Sequence, residues 1–202
     1  MPHPTLLELP ERIETPRLLV RRYLSGDGAW YLEMGRRNRD HLQRYEAGNS
    51  ARRVATPEEA EVLVRTYGRD WDARVRFLMG AFERATGEFV AQLYAGPLSW
   101  EAREFEVGYF VDADHEGRGF VTEAVLGVRG WLFEHLGARR LVLRCEDTNL
   151  RSARVAERCG FRQEGHLREN NLREGQYTGT LCFGLLRAEV EERHAGERRA
   201  GG

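Results

Sequence analysis

Between Glu104 and Glu146 the chain reads EFEVGYFVD, then ADHEGRGF, then VTEAVLGVRGWLFEHL, then GARRLVLRCE. The outer two segments carry the β-branched and aromatic content of strands. The middle one places Val125, Val128, Leu132 and Leu136 at helical spacing and stops at Gly137. Two strands joined through a helix of this length cannot close as a hairpin. They pair in parallel with a crossover, so any sheet built around them is mixed.

The remaining segments fit around this unit. RLLVRRY reads as a strand, followed by helices in SGDGAWYLEMGRR and NRDHLQRYE. TPEEAEVLVRTYGRDWDAR opens with a threonine cap, Pro57 and two glutamates, a strong helix start. RFLMGAFER and GEFVAQLYAG predict an antiparallel hairpin, and NLRSARVAERCG, FRQEGHLRE and QYTGTLCFGLLR predict a short helix and two closing strands. The expected architecture is an α/β domain over residues 1–202 with a mixed, mostly antiparallel sheet of about seven strands. Its core spans about 15–187, and the leader 1–14 and the tail 188–202 are peripheral.

Composition narrows the function. The 31 basic and 32 acidic side chains leave a net charge of -1, which argues against nucleic acid or an anionic membrane as partner. All the basic residues are arginine, so Schiff-base and P-loop lysine chemistry is excluded. Cys145, Cys159 and Cys182 are odd in number and lack CxxC spacing, and they read as small apolar residues in a reducing cytoplasm. No apolar run reaches membrane-spanning length, and no histidine pair has metal-ligand spacing, so neither membrane nor metal is expected.

Gly117-Arg118-Gly119-Phe120-Val121-Thr122 feeds a helix N-terminus, where unpaired amides and aligned dipoles favour phosphate. The segment lacks the third glycine of a dinucleotide fingerprint, and no GxxxxGK occurs. In the preceding strand, alternation puts Phe105, Val107, Tyr109 and Val111 on one face and Glu104, Glu106, Gly108 and Phe110 on the other. Glu106 thus enters a largely apolar face, where desolvation favours proton uptake and a general-base role. The competing reading is a carboxylate paired with one of the many arginines.

EVGYFVDADHEGRGFVTEAV and LRCEDTNLRSARVAERCGFRQEGHLRE together resemble the core of the GNAT superfamily of acetyl-CoA-dependent N-acetyltransferases, in its RimJ/RimL-like branch. The resemblance covers roughly Thr15 to Arg187. It implies a GNAT fold with the parallel pair splayed for acetyl-CoA and helices on both sheet faces. It also implies a cytoplasmic enzyme without metal that moves acetyl to a primary amine, most readily a protein or peptide α-amine. Small cationic amines, or a sensor that binds acyl-CoA without turnover, are the alternatives.

The family's loop pattern, [QR]xxGx[GA], falls on Glu116 to Val121, with departures at Glu116 and Val121. The coenzyme contacts implied are Phe110, Val111, Glu116, Gly117, Arg118, Gly119, Phe120, Val121, Thr122, Asn149 and Ser152. Glu106 would be the base. Ser152 would be the proton donor, because the family's tyrosine position is Ala156 here. Asn38, His41 and Tyr45 would line the acceptor side. An amine acceptor is the expected partner, and a homodimer is left open.

Overall fold

The computed structural model describes residues 3–45, 48–173 and 175–200. They form an eight-stranded sheet in the order β1-β2-β3-β4-β5-β6-β8-β7. The strands are β1 (Arg12–Glu14), β2 (Leu18–Arg22), β3 (Phe77–Glu83), β4 (Phe89–Ser99), β5 (Glu104–Val111), β6 (Arg140–Glu146), β7 (Arg162–Arg173) and β8 (Gln176–Leu186). The helices are α1 (Gly28–Arg37), α2 (Arg39–Tyr45), α3 (Pro57–Asp72), α4 (Phe120–His135), α5 (Leu150–Arg158) and α6 (Arg187–Ala200). The expected crossover is present: α4 joins β5 to β6, which pair in parallel, while every other neighbouring pair is antiparallel.

Parallel pairing is brief. It runs from Glu104 opposite Arg140 to Glu106 opposite Val142, and beyond that register the strands part. The separation opens a gap in the middle of the sheet, on the side where the glycine turn enters α4. On one face, Val125, Val128 and Leu132 of α4 pack with Leu93, Ala95, Phe105 and Val107. On the other face, Tyr31, Leu32, Val64 and Tyr67 of α1 and α3 pack with Leu78, Phe89 and Phe110. The α1–α3 crossing is close because Gly28 has no side chain. A Cβ there would lie 2.6 Å from the backbone of Glu61.

Two boundaries differ from the sequence reading. The leader adds an eighth strand: β1 pairs with β2, Leu7, Leu9 and Ile13 pack against the core, and the Trp131 indole donates to the carbonyl of Pro10 at 3.0 Å. The tail, expected to be peripheral, is helical as α6, with Val190 buried and the Arg187 guanidinium bonded to the carbonyl of Phe133 at 3.2 Å. Isolated apolar residues in polar surroundings suffice at both ends, because each meets a preformed core. No helix of the described residues is long and apolar enough to cross a membrane.

Candidate active site

The turn into α4 has the backbone conformation its glycines permit. Gly117 and Gly119 sit at φ 74° and 78°, and Gly119 is the N-cap residue with no side-chain cap. Among the described residues, none of the amides from Gly117 to Thr122 donates to another element. Several N–H groups thus remain open at the positive end of a sixteen-residue helix. The turn is pinned from behind. Glu123 in the first turn accepts from the Thr15 hydroxyl at 2.6 Å and the Arg17 Nε at 2.6 Å, while Arg17 Nη1 donates to the carbonyl of Arg118 at 3.1 Å.

Asp112 anchors the other end of the turn. Its side chain is fully buried and accepts from Arg37 Nη2 at 2.6 Å and Asn38 Nδ2 at 2.8 Å, with His115 Nδ1 at 3.3 Å. Burial pushes this carboxyl up, but the hydrogen bonds from Asn38, Arg37 and His115 outweigh that and hold it below the ordinary carboxylate value. Its stabilising contribution is therefore present above the unfolded-state pKa of about 3.9 and is lost as pH falls through the lower folded value. Asp112→Ala strands these donors and is expected to cost about 2–3 kcal/mol at neutral pH. Urea unfolding should show that deficit shrinking as pH falls below about 4, where the carboxyl of the unfolded chain takes up its proton before the native one does.

In front of the turn lies a cleft of about 590 Å³ between the diverging ends of β5 and β6. Gly108 to Val111 form one wall, and Leu143 to Glu146 with α5 form the other. Asn149 caps α5, its Oδ1 accepting from the amide of Ser152 at 3.1 Å. The Ser152 hydroxyl faces into this space beside the Tyr109 hydroxyl at 3.0 Å, and the same phenol reaches the Ser152 carbonyl at 3.0 Å. Cys145 adjoins them, its thiol pushed up by burial and partly drawn back by the Ser152 hydroxyl. Further out, Arg151, Arg154 and Arg158 line the cleft from one face of α5. Open amides at one end and guanidiniums along the side fit a ligand carrying several phosphates.

A second cavity, of about 310 Å³, meets this cleft at Gly108, Tyr109, Phe110 and Arg144. Its wall includes Arg76, Gln92, Tyr94 and Glu106. Glu106 does not enter the apolar surroundings predicted for it: Arg144 Nη1 donates to its Oε1 at 3.1 Å, and its side chain is 28% exposed. Tyr94 is held in the protonated state by burial and by the nearby Glu106 charge. Gln92 is fixed by the Tyr23 hydroxyl at 2.9 Å.

The predicted site residues divide. Phe110, Val111, Glu116, Gly117, Gly119, Phe120, Val121, Thr122, Asn149 and Ser152 all line the first cleft. Arg118 does not. Its guanidinium turns away over the Phe120 ring at 4.8 Å and toward Glu83 at 3.6 Å. Glu116 faces inward with its charge met by Arg151 at 2.5 Å, and the His41 imidazole lies 3.6 Å away. His41 therefore belongs to the first cleft rather than to an acceptor wall, and burial lowers its imidazole pKa against the pull of Glu116.

Asn38 lies away from both cavities, fully buried, with its Oδ1 accepting from the amide of Ala113. A polar residue was expected at the acceptor; the chain uses it as internal glue. Tyr45 ends α2, and its side chain lies outside the described residues. Arg144, Tyr109 and the α5 arginines were missed, although the 151, 154, 158 spacing is visible in the sequence as one helix face. Among the described residues, Glu83, Glu88 and His115 bring ligand atoms within 4.8 Å of one another, but Arg118 and Asp112 already meet this trio.

Known proteins resemble this chain in sequence and in fold. YjcK of Bacillus subtilis, named a probable N-acetyltransferase, is 35% identical over 86 residues, which are 43% of this chain and 48% of YjcK. The chain thus matches about half the length of that relative. Spermidine N(1)-acetyltransferase of Vibrio cholerae is 25% identical over 136 residues, 67% of this chain and 76% of that one. Among solved structures, the RimL ribosomal-protein alpha-N-acetyltransferase in complex with coenzyme A superposes with a TM-score of 0.79 at 19% identity. That match covers 87% of this chain and 98% of RimL. The profile of the acetyltransferase (GNAT) domain matches residues 17–162, most of the sheet and both walls of the cleft. By that match the chain belongs to the GNAT family of acetyl-CoA-dependent N-acetyltransferases.

Proposed function

We propose that this enzyme acetylates the α-amine of a protein or peptide by direct attack within a ternary complex, with acetyl-CoA in the first cleft and the acceptor in the second cavity. The observation that carries the reading is the junction of the two cavities at Gly108–Phe110, where the sheet parts. A thioester laid along β5 meets an acceptor there without either leaving its own cavity. The open amides from Gly117 to Thr122 take the diphosphate, the arginines of α5 take the remaining phosphate, and Asn149 faces the pantetheine arm.

Glu106 takes the proton from the ammonium, directly or through water. The amine nitrogen then bonds to the thioester carbon and gives up its second proton as the carbon–sulfur bond breaks; the Ser152 hydroxyl, which Tyr109 orients, passes a proton to the leaving thiolate and regains one from that nitrogen through solvent. An amine with a solution pKa near 8 needs only a modest base, which suits a partly exposed glutamate. The two arginines on the second cavity disfavour a polycation such as spermidine.

The test is free-thiol release from acetyl-CoA with N-terminal peptides, lysine peptides and polyamines. Turnover of peptides with free α-amines, abolished by blocking that amine, is expected. Exclusive turnover of polyamines would replace this reading. Acetyl-CoA at 100 times its Kd should also stabilise the fold by about 2.7 kcal/mol. The 3′-dephospho form should raise Tm less, because it leaves Arg154 and Arg158 without a partner.

A further inference from the structure

The charge on the second cavity points to a narrower class of acceptor. Its charged lining residues are Arg76, Glu106 and Arg144, two cations to one anion. The Arg76 Nε is met by Asp70 at 2.6 Å and its guanidinium stacks 5.3 Å from the Tyr67 ring. No hydrogen bond among the described residues uses its terminal nitrogens. Arg144 donates to Glu106 at 3.1 Å, its side chain is 47% exposed, and among the described residues its second terminal nitrogen makes no hydrogen bond. Arg144 also lines both cavities, so an anion held there lies beside the junction where the amine must arrive.

A carboxylate and a guanidinium side by side match a ligand that carries an ammonium and an anion at short separation. Resting on the α-amine reading, we propose that the acceptor has an acidic side chain within its first two residues, bound by Arg144 with Arg76, while its ammonium faces Glu106. A bidentate guanidinium–carboxylate contact in a partly enclosed cavity fixes orientation as well as adding affinity. Neutral amides of the same shape can accept a hydrogen bond, but one weaker than a carboxylate takes from a guanidinium. These arginines therefore set acceptor specificity, and Glu106 moves the proton.

The experiment compares peptides that differ only by aspartate or asparagine in the first two positions, assayed by thiol release at saturating acetyl-CoA so that coenzyme affinity does not enter. The aspartate peptide should be favoured in kcat/KM by about tenfold or more, mainly through KM. Arg144→Gln should bring the ratio close to one, and Arg144→Lys should restore part of it, which a loss of folding would not do. Equal use of both peptides by the native enzyme would overturn the inference and leave the α-amine reading in place. A preference that survives both Arg144→Gln and Arg76→Gln would also overturn it. Turnover of small amines with none of any peptide would remove both readings together.

Discussion

Gly119→Asp is expected to weaken acetyl-CoA binding by roughly 30- to 1000-fold, or about 2–4 kcal/mol. Two effects add. Gly119 sits at φ 78°, a conformation an aspartate adopts only with strain of about 1 kcal/mol. The new carboxylate would also face the diphosphate at the helix end that otherwise attracts it, where like charges at contact distance repel by several kcal/mol even in a partly screened site. Gly119→Ala separates the two. Space is available, the nearest atom being Arg17 Nη2 at 3.6 Å from a built Cβ, so alanine brings strain without charge. Calorimetric titration should find the alanine variant much nearer to the native enzyme than the aspartate one. Native-like affinity in Gly119→Asp would mean that the turn only shapes the helix entry and that the phosphates lie elsewhere.

The crossover unit was legible because its signals are local. A strand, a glycine turn and an amphipathic helix each declare themselves within a dozen residues, and their order forces the parallel pair. The loop and the cap of α5 were legible for the same reason, since Gly119 and Asn149 act through their own backbones and near neighbours. What escaped the sequence is whatever depends on which side chain meets which across the sheet. Glu106 alternates onto the predicted face, yet its surroundings are set by Arg144, thirty-eight positions later on a neighbouring strand. Asn38 has the polarity of a substrate contact, but the buried carboxylate of Asp112, seventy-four positions away, claims it. Tyr109 supplies a phenol at Ser152 from β5, a position no reading of the α5 sequence could suggest. Strand β1 was missed because three residues give no periodicity.

Glu106→Gln tests the chemistry most directly and separates the kinds of acceptor. Removing a positioned base is expected to lower kcat by about 100-fold near pH 6.5, with little change in the KM for acetyl-CoA. The fold should tolerate the change, because the Glu106–Arg144 pair is partly exposed and such pairs contribute no more than about 1 kcal/mol. The pH dependence carries the argument further. An α-amine with a pKa of about 7.7–8.0 sheds its own proton as pH rises, so the deficit of the variant should shrink steadily between pH 6.5 and 9. A lysine side chain, at about 10.4, stays protonated over that range and would keep the deficit nearly constant. A profile that narrows with rising pH would support both the base and the α-amine, whereas a constant deficit would keep the base and shift the acceptor to lysine. Unchanged kcat throughout would remove Glu106 from proton transfer and leave that step to solvent.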